Sequence, residues 1–311
     1  MNADVGTDLT LADRLAGAVW GHLVGDALGV PYEFQSGPIR SVRWVHVGTH
    51  GQPAGTWSDD GGLMLALLDS LLSAGFDLQD QARRAVAWMD EPEYKPGPLF
   101  DIGVGTSQAL RRLQQGVPAG LAGGRGENDN GNGSLMRILP IALVGWSQSA
   151  PDLTRQACLA SCVTHGHTRS QATCALYCLL IRTLLEGETD RDAALTQAFA
   201  AADAHLEPDV RCELEVLNTY AARSGSGYVV DCFWSAWDAF RAAYSYRETI
   251  ERAIGFGYDT DTTAAVAGGL AGAYWGIGSI PAAWLGGMRG RDIVEPLIER
   301  LLSRVTASDP A

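Results

Sequence analysis

Residues 9–27 read LTLADRLAGAVWGHLVGDA. Apolar residues recur there at the spacing of a helix, and Thr10 or Asp8 offers a side-chain cap. The same period predicts helices over about 60–74, 78–89, 106–115, 135–144, 151–163 and 169–185. It continues over about 190–204, 209–222, 231–243, 246–254, 262–275 and 293–305. No alternating strand or hairpin signal of any length interrupts the series, so the fold class is all-α. Neither an internal repeat nor an interdomain linker is visible. Residues 1–311 are therefore expected to form one domain, with 1–8 and 306–311 as flexible tails.

Composition narrows the function classes. The chain is 46% hydrophobic and 19% charged, ordinary for a globule with a sizeable core. Its 23 basic residues stand against 36 acidic ones, a formal charge of −13. A nucleic-acid or anionic-membrane surface would want a basic patch, so neither partner is expected. The polar, acidic start does not resemble a secretory signal. Apolar stretches such as 264–277 are too short and too rich in glycine to span a bilayer. A cytoplasmic protein is the expectation.

Six cysteines invite a metal or redox reading. Cys158/Cys162 and Cys174/Cys178 are each spaced four apart, with His165 and His167 between the pairs. Zinc spacings usually lie in loops or ribbons. These pairs lie in Ala/Leu-rich helical stretches, where free Cys acts as a small core hydrophobe, and that reading is preferred.

Two acidic runs lie at opposite ends of the chain, Ser58-Asp59-Asp60 and Asp259-Thr260-Asp261-Thr262. Each crowds carboxylates and a hydroxyl together without a nearby Lys or Arg. Unpaired carboxylates repel one another, and hard divalent cations prefer such an all-oxygen set. Taken singly, each run is an ordinary helix cap with acidic first-turn residues. Taken as a pair, they suggest one shared site closed by the two ends of the chain. Gly268, Gly272 and Gly276 recur every fourth residue after the second run, a face on which a neighbouring helix packs closely. Glycine in a helix interior costs about 1 kcal/mol relative to Ala, so close packing must offset it.

Three loops hold the remaining unusual chemistry. Residues 30–57 carry Glu33, Trp44, His46 and His50, and structureless loops of that length are often functional. Residues 91–105 end in Asp101-Ile102-Gly103-Val104-Gly105-Thr106, which resembles a phosphate-cradling loop before a helix. Gly-x-Gly alone is a weak signal, and no strand precedes it, so the dinucleotide-binding reading fails. Residues 120–134 are rich in Gly and Asn and predict a mobile tip leading into a helix start. Asn132-Gly133-Ser134 is by default a turn and cap, and no pattern decides the role of His165 or His167.

These motifs also occur in a recognisable order. Gly21-x(3)-Gly25-Asp26-Ala27-Leu28-Gly29 with Pro31-Tyr32-Glu33, then Thr56-Trp57-Ser58-Asp59-Asp60, are followed by Asn132-Gly133-Ser134-Leu135-Met136-Arg137 and Thr164-His165. Asp259-Thr260-Asp261-Thr262 closes the set. The chain thereby resembles the ADP-ribosylglycohydrolase family, which includes the dinitrogenase-reductase-activating glycohydrolases and the ADP-ribosylhydrolases.

The resemblance implies a compact orthogonal helical bundle around a binuclear Mg²⁺ or Mn²⁺ centre, in a monomer. It implies metal ligands at Ser58, Asp59, Asp60, Asp259, Asp261 and Thr262. Ser58 stands where the family often has Thr, and Tyr258 where it often has Gly, which reshapes one pocket wall. The implied substrate is an ADP-ribosylated protein, and the implied product is ADP-ribose. Two carboxylates outside the ligand set are candidates for the chemistry. Glu33 matches the catalytic or gating acid of members acting on serine adducts. Asp101 matches the catalytic carboxylate of the arginine-specific bacterial branch, and its Asp-Ile-Gly setting favours arginine adducts. Ile102, Gly103, Gly105, Thr106, Asn132, Gly133, Ser134, His165 and Tyr258 are the implied substrate contacts.

Two other classes fit the motifs less well. A non-catalytic, crystallin-like member would lack metal-motif residues, and none is missing. A helical phosphohydrolase would want a His-Asp pair, and a prenyl-chain synthase Asp-Asp-x-x-Asp, and the chain has neither.

Overall fold

The computed structural model describes residues 9–34, 39, 41–45, 47 and 49–308. His46 and the expected N-terminal tail lie outside the described residues, as do residues 309–311. The chain forms α1 (Leu11–Gly29), α2 (Asp59–Ala74), α3 (Leu78–Asp90), α4 (Val104–Gln114), α5 (Leu139–Val144), α6 (Ala150–Ser161) and α7 (Thr168–Leu185). It continues through α8 (Arg191–His205), α9 (Pro208–Arg211), α10 (Glu213–Thr219), α11 (Val229–Ala242), α12 (Tyr246–Gly255), α13 (Thr260–Trp275), α14 (Ala282–Gly286) and α15 (Arg291–Ser308). Among the described residues the only extended pairings are isolated bridges, so the all-α expectation is met.

The first helix begins where its cap dictates. Thr10 Oγ1 accepts from the Asp13 N–H at 3.1 Å while the Asp13 carboxylate accepts from the Thr10 N–H, a capping box. Most expected helices are present with shifted ends, and several corrections bear on the site. Helix α4 starts at Val104 rather than Thr106, which places Gly105 and Thr106 in its first turn. Helix α13 starts at Thr260, so Asp261 and Thr262 are first-turn residues. The helix expected over 135–144 opens as a 3₁₀ turn, Leu135–Arg137, before α5. The one expected over 209–222 is broken into α9 and α10. It stops at Thr219 because Asp231 gathers the N–H groups of Ser224 and Ser226 and holds that segment off the helix path. The short α14 was not anticipated, and α15 runs through Ser308, past the expected start of the tail.

Helix α13 is buried on all sides, and its partner is α1. The two meet backbone to backbone. A Cβ on Gly21 would lie 2.4 Å from the Gly268 carbonyl oxygen, and one on Gly272 would lie 1.9 Å from that of Gly17. The glycine face read from the sequence therefore packs against a second glycine face on α1. Arg14 closes the far end by donating from Nη1 to the Ala273 and Tyr274 carbonyls at 3.0 and 2.9 Å. A basic side chain there also complements the C-terminal end of the helix dipole. One large apolar core surrounds this pair and takes in α2, α5, α7, α11 and α12.

That crossing fixes where the chemistry sits. Gly29, at the end of α1, is so close to α13 that a Cβ on it would lie 2.4 Å from the Asp261 Cα, and Thr260 Oγ1 donates to the Gly29 carbonyl at 2.8 Å. The Asp26 carboxylate accepts from the Ser58 N–H at 2.9 Å and the Gly61 N–H at 2.8 Å, which ties α1 to the start of α2. Two helix N-termini, of α2 and α13, thus meet the C-terminal end of α1 at one buried point.

Candidate active site

The two acidic runs meet at that point. Asp26, Asp60 and Asp261 bring ligand oxygens within 4.8 Å of one another, all three buried. Glu33, Asp259 and Asp261 form a second such group, so Asp261 is common to both. Glu33, His50 and Asp101 form a third, at the edge of a cleft. The helix-cap reading accounts for only part of this. Ser58 does cap α2, its Oγ accepting from the Asp60 N–H at 3.2 Å. Asp259 makes no side-chain cap on α13 and instead accepts from Asn132 Nδ2 at 2.9 Å.

The residues present fit a hard divalent cation. Asp60 is fully buried, and its Oδ2 has no hydrogen-bond partner, while its Oδ1 accepts only a long 3.3 Å contact from Thr262 Oγ1. A buried anionic oxygen without a partner is costly, and an ion supplies the missing one. Burial first, and then mutual repulsion, raises Asp59, Asp60 and Asp261 well above the usual carboxylate range. Burial also pushes Asp26 up to about 7, against the N–H groups that favour its charge. Helix N-termini contribute positive potential, too little to neutralise so many carboxylates.

Above this cluster opens a cleft of about 560 Å³. Its walls include Glu33, Asp59, Asp101, Gly103, Gly105, Thr106, Asn132, Gly133, His165, Tyr258, Asp259 and Thr262, all singled out from the sequence. Asp101 occupies the left-handed region at φ 49°, which puts its carboxylate beside Glu33 and His50. Glu33 is buried, and its Oε2 is hydrogen-bonded to His50 Nε2 at 2.8 Å. Burial, then the Asp101 charge, pushes Glu33 up to about 9. The His50 ring in turn stacks on Phe100 at 5.5 Å, which braces the pair.

His165 stands deep in the wall. Its ring fits only because its neighbours lack side chains: a Cβ on Gly133 would come within 2.7 Å of it. Nδ1 pairs with Thr164 Oγ1 at 3.1 Å, and the buried Arg137 guanidinium donates to that same hydroxyl at 2.8 Å. Burial and then the Arg137 charge pull His165 down to about 3, so it meets a ligand as neutral imidazole.

Not every expected contact reaches the cleft. Ile102 packs half-buried against the core. Ser134 is fully buried, and its hydroxyl is engaged by Ser161 Oγ at 3.0 Å and Cys174 Sγ at 3.4 Å, behind the wall. The Gly103 N–H points to Asp59 Oδ2 at 3.4 Å rather than standing free for a phosphate. Ser58, Asp60 and Asp261 lie below the cleft floor, within the acid cluster or at its edge. The 120–134 loop, expected to be mobile, is fastened. Gly123 N–H donates to the Cys162 carbonyl, Asn132 N–H to that of Gly227, and Arg169 pairs with Glu127 at 2.5 Å. The cysteines are all free, and among the described residues none joins a metal-binding group.

Two participants were missed. Asp26 was quoted only as part of a motif, and His50 only as a loop residue. The signal for Asp26 is present in the sequence: an Asp within an apolar helical run, without a Lys or Arg one turn away, is rarely buried unless it has partners.

The acid cluster makes a stability prediction. Folded Glu33 and the deep carboxylates hold protons that the unfolded chain releases above about pH 4. Stability of the metal-free protein therefore falls as pH rises, through about 7 for Asp26 and about 9 for Glu33. The buried histidines His22 and His165, held at about 4 and about 3, act in the opposite sense only below the usual His range. In chelator, Tm should fall as pH rises from about 5 to about 9, with each proton that the folded chain still holds and the unfolded chain has released costing about 1.4 kcal/mol per pH unit. Added Mg²⁺ or Mn²⁺ should raise Tm, more so at the higher pH. A flat profile with no metal effect would contradict the cation fit.

Comparison with known proteins agrees with this geometry. The sequence model described as ADP-ribosylglycohydrolase matches residues 7–311. An ADP-ribosylarginine hydrolase Tri1 of Pseudomonas putida (strain GB-1) is 30% identical over 96% of this chain and 80% of its own. The ADP-ribosyl-[dinitrogen reductase] glycohydrolase of Rhodospirillum rubrum is 30% identical over 90% and 91%. ADP-ribosylhydrolase ARH3 of Danio rerio is 27% identical over 96% and 92%. A solved structure described as an ADP-ribosylglycohydrolase-related protein complex superposes with a TM-score of 0.76 at 34% identity, over 94% of this chain and 98% of that one. A family model over nearly the whole chain, and relatives at 30% identity named as hydrolases of ADP-ribosyl bonds, show that the chain belongs to the ADP-ribosylglycohydrolase family.

Proposed function

We propose that this enzyme removes ADP-ribose from arginine side chains of modified proteins, acting as a monomer in the cytoplasm with two Mg²⁺ or Mn²⁺ ions. The observation that carries the arginine reading is Asp101, a carboxylate held in the left-handed region on the cleft wall, within reach of Glu33 and His50. Non-glycine residues stay in that region only where the surroundings impose it, and such positions cluster at active sites. The arginine hydrolase among the relatives supports the same choice.

Ser58, Asp59, Asp60, Asp259, Asp261 and Thr262 would hold the ions. Ions bound there would supply Lewis acidity that polarises oxygen atoms of the substrate or of water. The protein supplies the rest. Breaking the anomeric C–N bond develops positive charge on the sugar, which the Asp101 carboxylate stabilises while it takes a proton from the attacking water. The water oxygen bonds to the anomeric carbon, and the guanidine departs with its proton. Gly105 and Thr106 at the start of α4, Asn132 and Gly133 opposite, and the neutral His165 ring line the path for the nucleotide. Free interior thiols agree with a reducing compartment.

A second reading rests on Glu33, which is buried and fixed by His50. It would suit a serine or O-acetyl linkage, where an oxygen leaves. Matched arginine-, serine- and O-acetyl-linked ADP-ribose substrates, assayed with Mg²⁺ or Mn²⁺, separate the two. Release from the arginine adduct is expected to be faster by about tenfold or more, or about 1.4 kcal/mol in the barrier. Preference for either oxygen-linked substrate would overturn the arginine reading.

A further inference from the structure

Phe34 and Tyr258 are 70% and 66% exposed, and both lie on the cleft wall. Each adjoins an acid of the site in sequence, Phe34 after Glu33 and Tyr258 before Asp259. Both backbones are in the left-handed region, at φ 56° and φ 59°. The Phe34 N–H donates to the Tyr258 carbonyl at 3.1 Å, which sets the two residues side by side. Two aromatic residues held in an unfavourable backbone conformation, and left in solvent, serve no need of the core. They stand at the metal end of the cleft, where a glycosidic bond would be cut.

The charge around them selects an occupant. Glu33, Asp59, Asp101 and Asp259 line the same cleft as the two rings, with Asp60 and Asp261 clustered below its floor. Two divalent ions do not neutralise that many carboxylates. Among the described residues the one Arg on the cleft wall, Arg112, is turned to the Ala122 carbonyl at 2.6 Å. An aromatic face over a negative field suits a planar, permanently charged guanidinium, which stacks on rings as no serine hydroxyl can.

We propose that Phe34 and Tyr258 form an aromatic slot that stacks the guanidinium of the modified arginine and so sets linkage specificity. This rests on the arginine reading above and deepens it.

The test uses the full chain with Mn²⁺ and the variants Tyr258→Leu, Phe34→Leu and Tyr258→Phe. Two quantities are measured: the ratio of kcat/KM for matched arginine- and serine-linked ADP-ribosyl peptides, and inhibition by agmatine, a free guanidinium probe. Each Leu variant should lower the ratio about tenfold and weaken agmatine inhibition by a similar factor, the scale of a partly desolvated cation–π contact. Tyr258→Phe should keep both. An unchanged ratio with unchanged agmatine inhibition would overturn the slot, as would an equal loss of affinity for ADP-ribose, which would mean the rings stack the nucleotide. If the wild type leaves the arginine peptide intact, the arginine reading fails. Agmatine binding, followed by calorimetry in wild type and Leu variants, then still decides the slot by itself.

Discussion

Asp261→Asn is expected to lower ADP-ribose release by about a thousandfold or more while the helical fold remains, a loss of about 4 kcal/mol in transition-state stabilisation. Asp261 is the acid common to the two deep groups, so its loss disables both. Asn has nearly the same shape and cannot carry the charge a hard cation wants. The fold should survive because Asp261 is itself a source of strain. Burial and the neighbouring Asp259 raise it well above the usual range, so a neutral side chain relieves repulsion. The metal-free variant should therefore melt at or above the metal-free wild type at about pH 8, and lose the Tm gain on adding Mn²⁺. Turnover, circular dichroism and melting with and without metal check this together. A variant with near wild-type turnover would contradict a role for Asp261 in a metal centre.

Asp101→Asn should reduce turnover on arginine adducts by about a hundredfold to ten-thousandfold, the range of a positioned acid–base group. Asn is the substitution of choice because it tolerates the left-handed backbone that Asp101 adopts at φ 49°. ADP-ribose affinity should be largely retained, since the role proposed for Asp101 is at the scissile bond and not along the nucleotide path. Single-turnover kinetics with calorimetric ADP-ribose binding separate the two effects. Unchanged turnover would move the catalytic role to Glu33, and the same substitution at His50 would then be the informative next variant.

Much of this site was legible before any coordinates. The paired acidic runs and the loop Asp101–Thr106 stand out by local pattern, whereas Glu33, Asn132 and His165 gain a role only through the resemblance to the family. The all-α fold follows from the helical period, because burying one face of each helix needs no long-range information. What the sequence withheld depends on distance through space. Asp26 looks like any polar break in a helix until Ser58 and Gly61, more than thirty residues on, bring their N–H groups to it. The glycine face of α13 predicts a close neighbour, but only the fold names α1. Ser134 lies in the expected motif, yet its hydroxyl turns to Ser161 and Cys174, because α6 and α7 pack behind it. Most helix ends moved by no more than three residues, and at α13 that shift takes Asp261 from before the helix into its first turn. Helix α10 ends at Thr219, short of the expected 222, and the segment after it is held by the Asp231 carboxylate through the Ser224 and Ser226 N–H groups.

The most direct test is electron paramagnetic resonance of the wild-type protein titrated with Mn²⁺. If residues 58–60 and 259–262 form the two halves of one binuclear centre, the spectrum should show an exchange-coupled multiline signal at saturation, and Asp261→Asn should abolish it. A six-line signal of isolated, uncoupled ions at saturation, or no protein-bound Mn²⁺ at all, would contradict the shared centre.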